Sequence, residues 1–183
     1  MTNIKVLLAA VLFAAVCSFT AFAQDTPGKF IRSKFVSLDG GFTIDLPNKT
    51  DASIEPTGSL SAGAGTFTWK NDAGNFTVAF VDGISAPPEE GFAALNQLAD
   101  SVASTQSNAG SKVAHRSPFS FSGHPGIELR VERPGGARAI NRFILVGRRL
   151  YVLTADWPAA KDEIAARLVL DSFELIDTKA LIA

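Results

Sequence analysis

The chain of 183 residues contains one cysteine, one methionine and two histidines. Cys17 lies in the hydrophobic stretch at the start of the chain, so residues 24–183 contain no cysteine and cannot form a disulfide. The stability of that part of the protein must therefore come from side-chain packing.

The sequence also lacks the short motifs that mark common enzyme sites. It has no HExxH zinc motif, no cysteine pair, no phosphate-binding Gly-Lys-Ser loop and no Gly-x-Ser-x-Gly elbow. Gly63-Ala64-Gly65 begins like a dinucleotide fingerprint but lacks the third glycine and the preceding strand. We therefore predict no catalytic, cofactor-binding or metal-binding residue and expect the protein not to be an enzyme.

The two histidines are the remaining candidates for chemistry. We interpret His115 as a residue on a strand surface and His124 as a turn residue, since no spacing supplies the Asp or Glu ligands of a metal site. A Ser-His-Asp triad stays open, because its members meet in space and not in sequence.

The first 23 residues have the order of a signal peptide. Lys5 supplies the positive charge, residues 6–22 are almost wholly apolar or small, and Ala21-Phe22-Ala23 provides a cleavage site before Gln24. We expect cleavage after Ala23 and a periplasmic or secreted protein. An uncleaved membrane anchor is the alternative, because the apolar run approaches the roughly 20 residues that span a bilayer.

The remaining chain predicts a single domain. Residues 24–34 form a lead-in, residues 35–177 one α+β domain, and residues 178–183 a tail. Alternating apolar residues predict a hairpin around the Asp39-Gly40-Gly41 turn and a second hairpin around the turn at residues 71–74, with a long loop or weak edge strand between them. Trp69, Tyr151 and Trp157 are interpreted as core residues.

The second half predicts two helices around a run of four strands. Pro87 and Pro88 favour a helix start before an amphipathic stripe from Phe92 to Val102, and Pro158 opens a second helix in which Ile164 and Leu168 share a stripe. The strands span residues 112–121, 126–132, 139–146 and 149–155. Alternation at 127–132 indicates one face in water, whereas the last two strands are continuously apolar and predict cover on both faces. The order ββββαββββα favours an antiparallel β-sheet flanked by helices, an α-β-α sandwich.

These segments resemble the PsbP-like superfamily of exported and envelope domains, including its bacterial DcrB-like members. The resemblance covers residues 35–176 and rests on four motifs. They are Gly41-Phe42-Thr43-Ile44-Asp45-Leu46-Pro47, Pro125-Gly126-Ile127-Glu128-Leu129, Arg142 with Gly147-Arg148-Arg149-Leu150-Tyr151, and Asp171-Ser172-Phe173. The resemblance implies an α-β-α sandwich that serves mainly as a non-catalytic accessory or binding module, and it carries no catalytic set.

Charge is unevenly distributed along the chain. Without Lys5, residues 24–183 hold 16 basic and 18 acidic residues, which argues against nucleic acid as a partner. Residues 112–149 nevertheless hold eight basic residues against two acidic ones. We predict that five arginines contact an anionic partner: Arg130, Arg138, Arg142, Arg148 and Arg149. The alternative is that they pair with Glu128, Glu132 and acidic helix residues as an ordinary solvated face.

Two functions therefore follow from the sequence. The first is an exported accessory domain, without a transmembrane segment after cleavage, that binds a partner protein or an anionic envelope component. The second is an exported small-ligand carrier or hydrolase with a pocket between the sheet and the first helix.

Overall fold

The computed structural model describes residues 32–47, 55–56, 63–84 and 90–176. The expected signal peptide, the lead-in up to residue 31, the Pro87-Pro88 helix start and the tail at 178–183 lie outside the described residues. No helix within these ranges is long and apolar enough to cross a membrane.

Ten strands and two α-helices follow one another in the described residues. The first half contains β1 (Arg32–Ser37), β2 (Phe42–Pro47), β3 (Glu55–Pro56), β4 (Ala64–Asn71), β5 (Gly74–Val81) and α1 (Gly91–Asn108). The second half contains β6 (Lys112–Phe121), β7 (His124–Glu132), β8 (Arg138–Val146), β9 (Arg149–Trp157), α2 (Glu163–Asp171) and β10 (Glu174–Leu175). The predicted α+β class, both hairpins and the four successive strands are confirmed.

A seven-stranded antiparallel sheet forms the centre of the protein, with the strand order β3-β4-β5-β9-β8-β7-β6. In β8 and β9, consecutive residues are buried because the sheet is covered on both faces there. This confirms the prediction drawn from their continuous apolar runs.

The first hairpin belongs to a separate sheet of three strands, β1-β2-β10. Glu174 and Leu175 of β10 pair with Thr43 and Phe42 of β2, so the last strand completes the sheet that the first two begin. The sequence pattern gave no indication of this second sheet. A two-residue strand carries too little alternation to be recognised in a sequence.

Two hydrophobic cores lie on opposite faces of the large sheet. On one face, α1 packs Leu95, Ala99 and Val102 against apolar residues of β7 and β8. On the other face, β2 and α2 enclose an aromatic-rich core that includes the buried Trp69, Tyr151 and Trp157, as predicted. The layers are thus helix, sheet, and then a helix beside a small sheet.

The second helix differs from its predicted form. It begins at Glu163 and not at Pro158, because Lys161 closes a turn onto the Pro158 carbonyl and the Asp162 side chain then accepts a hydrogen bond from Ile164 N as the N-cap. Its buried stripe is Ala166, Val169 and Leu170. Ile164 and Leu168 do share a stripe, but that stripe faces outward.

Candidate functional site

The strand register brings Arg130, Arg138 and Arg142 close together on one face of the large sheet. Arg142 of β8 lies opposite Glu128 of β7, and Arg138 lies opposite Glu132. Because side chains alternate along a strand, Arg130, which follows Glu128 by two positions, shares that face. This face is the one that α2 packs on, since Ile140 between Arg138 and Arg142 belongs to the core under α2.

Glu128 lies at the centre of an ionic cluster on this face. Its side chain is 9% exposed and accepts a hydrogen bond from Arg142 Nε at 2.9 Å and one from Arg130 Nε at 3.3 Å. Arg167 of α2 adds a contact from Nη2 at 3.3 Å. Glu128 was predicted to face water. It is buried because α2, more than 30 residues later in the chain, covers this part of β7.

The surrounding arginines favour the charged form of the Glu128 carboxyl. Burial pushes the pKa of this carboxyl upward, but the hydrogen bond from Arg142 and the charges of Arg142 and Arg167 together hold the pKa below its usual range. Arg142 also contacts Asp171 at 2.7 Å and lies over the Phe119 ring. Arg142 thus binds α2 to the sheet and is only 13% exposed.

Arg149 lies in a different environment at the other end of the sheet. Its guanidinium pairs with Asp82 and donates to the backbone carbonyls of Asp39 and Gly40. The same group lies 4.8 Å from the centre of the Phe80 ring. Arg149 therefore connects the first hairpin to the large sheet.

The five arginines do not form one free cationic patch. Arg138 begins β8 and Arg148 follows its end, so the two are roughly 30 Å apart at about 3.3 Å per residue. Of the eight basic residues in the 112–149 segment, those without an ion pair among the described residues are Lys112, Arg138 and Arg148. The other five pair with acidic side chains.

Two exposed apolar side chains lie next to the ionic cluster. Ile164 is 61% exposed and Leu168 is 40% exposed, one turn apart on the outer side of α2. Glu163, which precedes Ile164, lies 3.8 Å from Arg130, so the apolar pair borders the arginine face. The α2 surface, defined here as Arg130, Arg138, Ile164 and Leu168, combines exposed apolar groups with positive charge.

The histidines lie apart from this surface and from each other. His115 is exposed on β6, and His124 is half-buried at the start of β7, opposite Phe121. His124 lies opposite Phe121, and Phe121 is six residues, or roughly 20 Å, along β6 from His115. Among residues 32–47, 55–56, 63–84 and 90–176, no three His, Cys, Asp or Glu side chains are placed to hold a metal ion.

The antiparallel central sheet, its two helices and its small second sheet have an α+β fold like that of PsbP. This conclusion rests on the solution structure of cyanobacterial PsbP (CyanoP) from Synechocystis sp. PCC 6803. The two chains are 11% identical with a TM-score of 0.58, and the match covers 84% of this chain and 97% of that one. The likeness establishes the fold that the sequence motifs implied.

Two other solved structures match this chain with TM-scores below 0.5. A mutant of the protein Mog1 matches with a TM-score of 0.47 and 10% identity, over 84% of this chain and all (100%) of that chain. A crystal structure from Bacteroides thetaiotaomicron matches with a TM-score of 0.43 and 13% identity, over 80% of this chain and 49% of that chain. No protein-family model matches the sequence, and no curated protein matches it.

Proposed function

We propose that the protein is an exported, non-catalytic accessory domain that binds a partner protein through the α2 surface. The observation that carries the proposal is the exposed pair Ile164 and Leu168 on the outer side of α2, next to Glu163, which contacts Arg130 of the sheet. Large apolar side chains that remain in water at the centre of a polar surface are typical of interaction sites.

The ionic cluster prepares this surface for binding. Glu128, Arg142 and Arg167 fix α2 against the sheet, so Ile164 and Leu168 are presented on a rigid support. A preorganised surface loses less conformational entropy when a partner binds. Arg138 is exposed and without an ion pair in the described part of the chain, so it can attract a partner with an acidic rim.

Export is the second part of the proposal. It is supported by the signal-peptide pattern of residues 1–23 and by the resemblance to exported PsbP-like domains. We infer a periplasmic or secreted location. N-terminal sequencing of protein recovered from the periplasm or medium tests the location, and a Gln24 start is expected. Intact Met1 on cytosolic protein would exclude it.

Site-specific crosslinking tests the binding surface. A photoreactive amino acid at Leu168 is expected to give a crosslinked partner from envelope extracts, and the same group at Arg148, on the far end of the sheet, is expected to give none. Ile164→Ser and Arg138→Ser should each weaken the adduct, whereas Arg148→Ser should not. Equal crosslinking from both positions would contradict the proposal.

A lipid or wall polymer is the competing anionic partner. Vesicles that contain anionic lipid distinguish it from a protein, because charge alone drives that binding. If Arg138→Ser abolishes retention on vesicles while Ile164→Ser has no effect, the partner is an anionic surface and the protein-binding proposal is wrong.

A further inference from the structure

The small sheet leaves one strand edge open. Among the described residues, β1 pairs with β2 only, and β2 lies between β1 and β10. Asp45 N of β2 donates to Ser172, just before β10, and Gly41 O, just before β2, accepts from Ile176 N, just after β10. Because the backbone groups of successive residues point alternately to the two neighbouring strands, the even-numbered residues of β2 face β1.

Two residues of β1 therefore direct their backbone groups to the open edge. Phe35 pairs with Ile44, an even-numbered residue of β2, so Phe35 points its N–H and C=O groups toward β2. The N–H and C=O groups of Lys34 and Val36 point the other way, where no strand in the described part of the chain meets them. Such an edge is a template for a further strand.

The long edge of the large sheet, at β6, is protected against such pairing. The register of β6 with β7 shifts between Val113 and His115, which interrupts the regular edge. Pro118, in the middle of β6, has no N–H to offer. Bulges and edge prolines are common means of preventing sheets from joining edge to edge. β1 has neither, because its six residues pair with β2 in one continuous register.

A lysine can also protect an edge strand, but Lys34 is turned away from the edge of β1. Its Nζ donates to Glu174 Oε2 at 3.2 Å. Glu174 lies on β10, on the far side of β2, so the ammonium group reaches across β2 and its charge is balanced there. The exposed side chains next to Lys34 on β1 and its turn are apolar, since Val36 is 51% exposed and Leu38 is 67% exposed.

We propose that the β1 edges of two copies of this protein pair antiparallel about a two-fold axis at Phe35. The two small sheets then form one sheet of six strands, three from each copy. In this register Lys34 of one copy lies opposite Val36 of the other copy. The open N–H and C=O groups of each residue thus meet those of the other, in both directions.

Two neighbouring registers fit less well. An axis at Lys34 sets two lysines directly opposite each other, which is unfavourable. An axis at Val36 sets Lys34 opposite Leu38, whose carbonyl already accepts from Gly41 N within the turn. The open edge is therefore self-complementary in one register.

The same register brings the two Phe35 side chains together. Phe35 is half-buried and packs against Phe42, Phe67 and Trp69 at the margin of the aromatic-rich core. On the axis, the two Phe35 residues form a pair without direct hydrogen bonds, the kind of pair in which side chains approach most closely. Aromatic residues in such pairs stabilise sheets. A second copy therefore reduces the exposure of Phe35.

The size of the contact indicates a weak dimer. A few residues of strand bury less surface than the roughly 800 Å² per partner of a stable interface. Sedimentation equilibrium of the purified protein should therefore show a monomer at about 10 μM and a mixture of monomer and dimer at about 1 mM. A protein that remains monomeric at about 1 mM would overturn the proposal.

Variants at one position separate pairing from folding. Val36→Lys places a second charge opposite Lys34 and should weaken dimerisation at least about tenfold, while the exposed position keeps the thermal unfolding temperature unchanged. Val36→Pro removes an N–H that bonds nothing within one copy and should have the same effect on dimerisation. Ser120→Lys, at an exposed position of the β6 edge, is the matched control and should dimerise as the wild type does. Dimerisation that survives both Val36 variants, or that only Ser120→Lys abolishes, would refute pairing through β1.

Amide spectra recorded over the same concentration range locate the contact. The signals of Lys34 and Val36 should move with concentration, whereas that of Ser120 should not. Shifts confined to α2 would show that the copies meet through the α2 surface, and the proposal would be wrong. The crosslink expected from Leu168 should persist in Val36→Lys, because no residue of the β1 edge belongs to the α2 surface. Failure of one proposal can therefore be distinguished from failure of the other.

Discussion

Arg149 binds Asp82 through two parallel contacts, Nε to Oδ1 at 2.5 Å and Nη2 to Oδ2 at 2.7 Å. The third nitrogen, Nη1, donates to Gly40 O at 2.9 Å, and Tyr151 Oη donates to the same carbonyl at 2.8 Å. The hydrogen bond from Arg149 lowers the pKa of Asp82, although burial opposes this effect. One guanidinium therefore joins the turn of the small sheet to a strand of the large one.

Removal of this guanidinium should loosen the junction between the sheets. We expect Arg149→Met to lower the free energy of unfolding by about 2 kcal/mol, since hydrogen bonds to charged groups contribute about 1.5–3 kcal/mol and this pair is partly exposed. Arg149→Lys should recover little, because an ammonium cannot make the paired contacts. Urea denaturation measures both. Arg148→Met is the control, and an equal loss there would refute the assigned role.

Glu128→Gln should destabilise the protein more strongly than Arg149→Met does. It leaves Arg130, Arg142 and Arg167 facing a neutral amide, and loss of one partner from a buried pair costs about 3–5 kcal/mol. Thermal unfolding at neutral pH measures the loss. Glu132→Gln, an exposed neighbour on the same strand, should change stability by less than about 0.5 kcal/mol.

Glu128→Gln should also change the pH dependence of the protein's stability. The pKa of Glu128 is lower in the folded protein than the value of about 4.3 for an unfolded chain. Its stabilising contribution is therefore complete above that value and is lost as pH falls through the lowered pKa. Between about pH 5 and pH 3, the free energy of unfolding should fall more steeply for the wild type than for Glu128→Gln. Equal slopes would show that Glu128 is not the titrating group.

Gly126→Ala should conflict with the ring of Phe119 on the neighbouring strand. A Cβ at Gly126 would lie 2.6 Å from Phe119 Cζ, too close for van der Waals contact. We expect a loss of about 1–3 kcal/mol, as for other overpacked sites. The loss should shrink when Phe119→Leu is combined with Gly126→Ala, and a double-mutant cycle measures this coupling. Additive losses would contradict the predicted contact.

Substitutions at two positions on α2 should affect the stability of the protein very differently. Leu170 is 2% exposed in the aromatic core, so Leu170→Ala should cost about 2–5 kcal/mol of stability. Ile164→Ser removes an exposed side chain and should change stability by less than about 0.5 kcal/mol. Calorimetry measures both. A large loss for Ile164→Ser would mean that this side chain supports the fold and is not available to a partner.

Local patterns predicted the elements of this fold well. The alternation in residues 42–46 and 76–80, the turns between them and the apolar stripe of α1 each depend on neighbouring residues, so the sequence alone indicates them. The continuous apolar run of β8 even indicated that both faces of the sheet are covered. Each of these features is encoded within about ten residues.

Contacts between distant segments could not be predicted. The alternation of apolar and polar residues at 127–132 did not indicate that α2 would cover Glu128. The spacing of Ile164 and Leu168 did not indicate which side of the helix faces the core. The arginines illustrate the same limit. Their density in residues 112–149 was visible, but whether each one is free or paired depends on partners such as Asp82 and Asp171, far away in the chain.

The pairing of β10 with β2 has a consequence for synthesis. Ser172 Oγ accepts from Asp45 N, and Ile176 N donates to Gly41 O, so the N-terminal hairpin depends on segments made some 130 residues later. While the chain is emerging from a ribosome, its first hairpin has an open edge and an uncovered aromatic side. The small sheet therefore cannot close until nearly the whole domain is available.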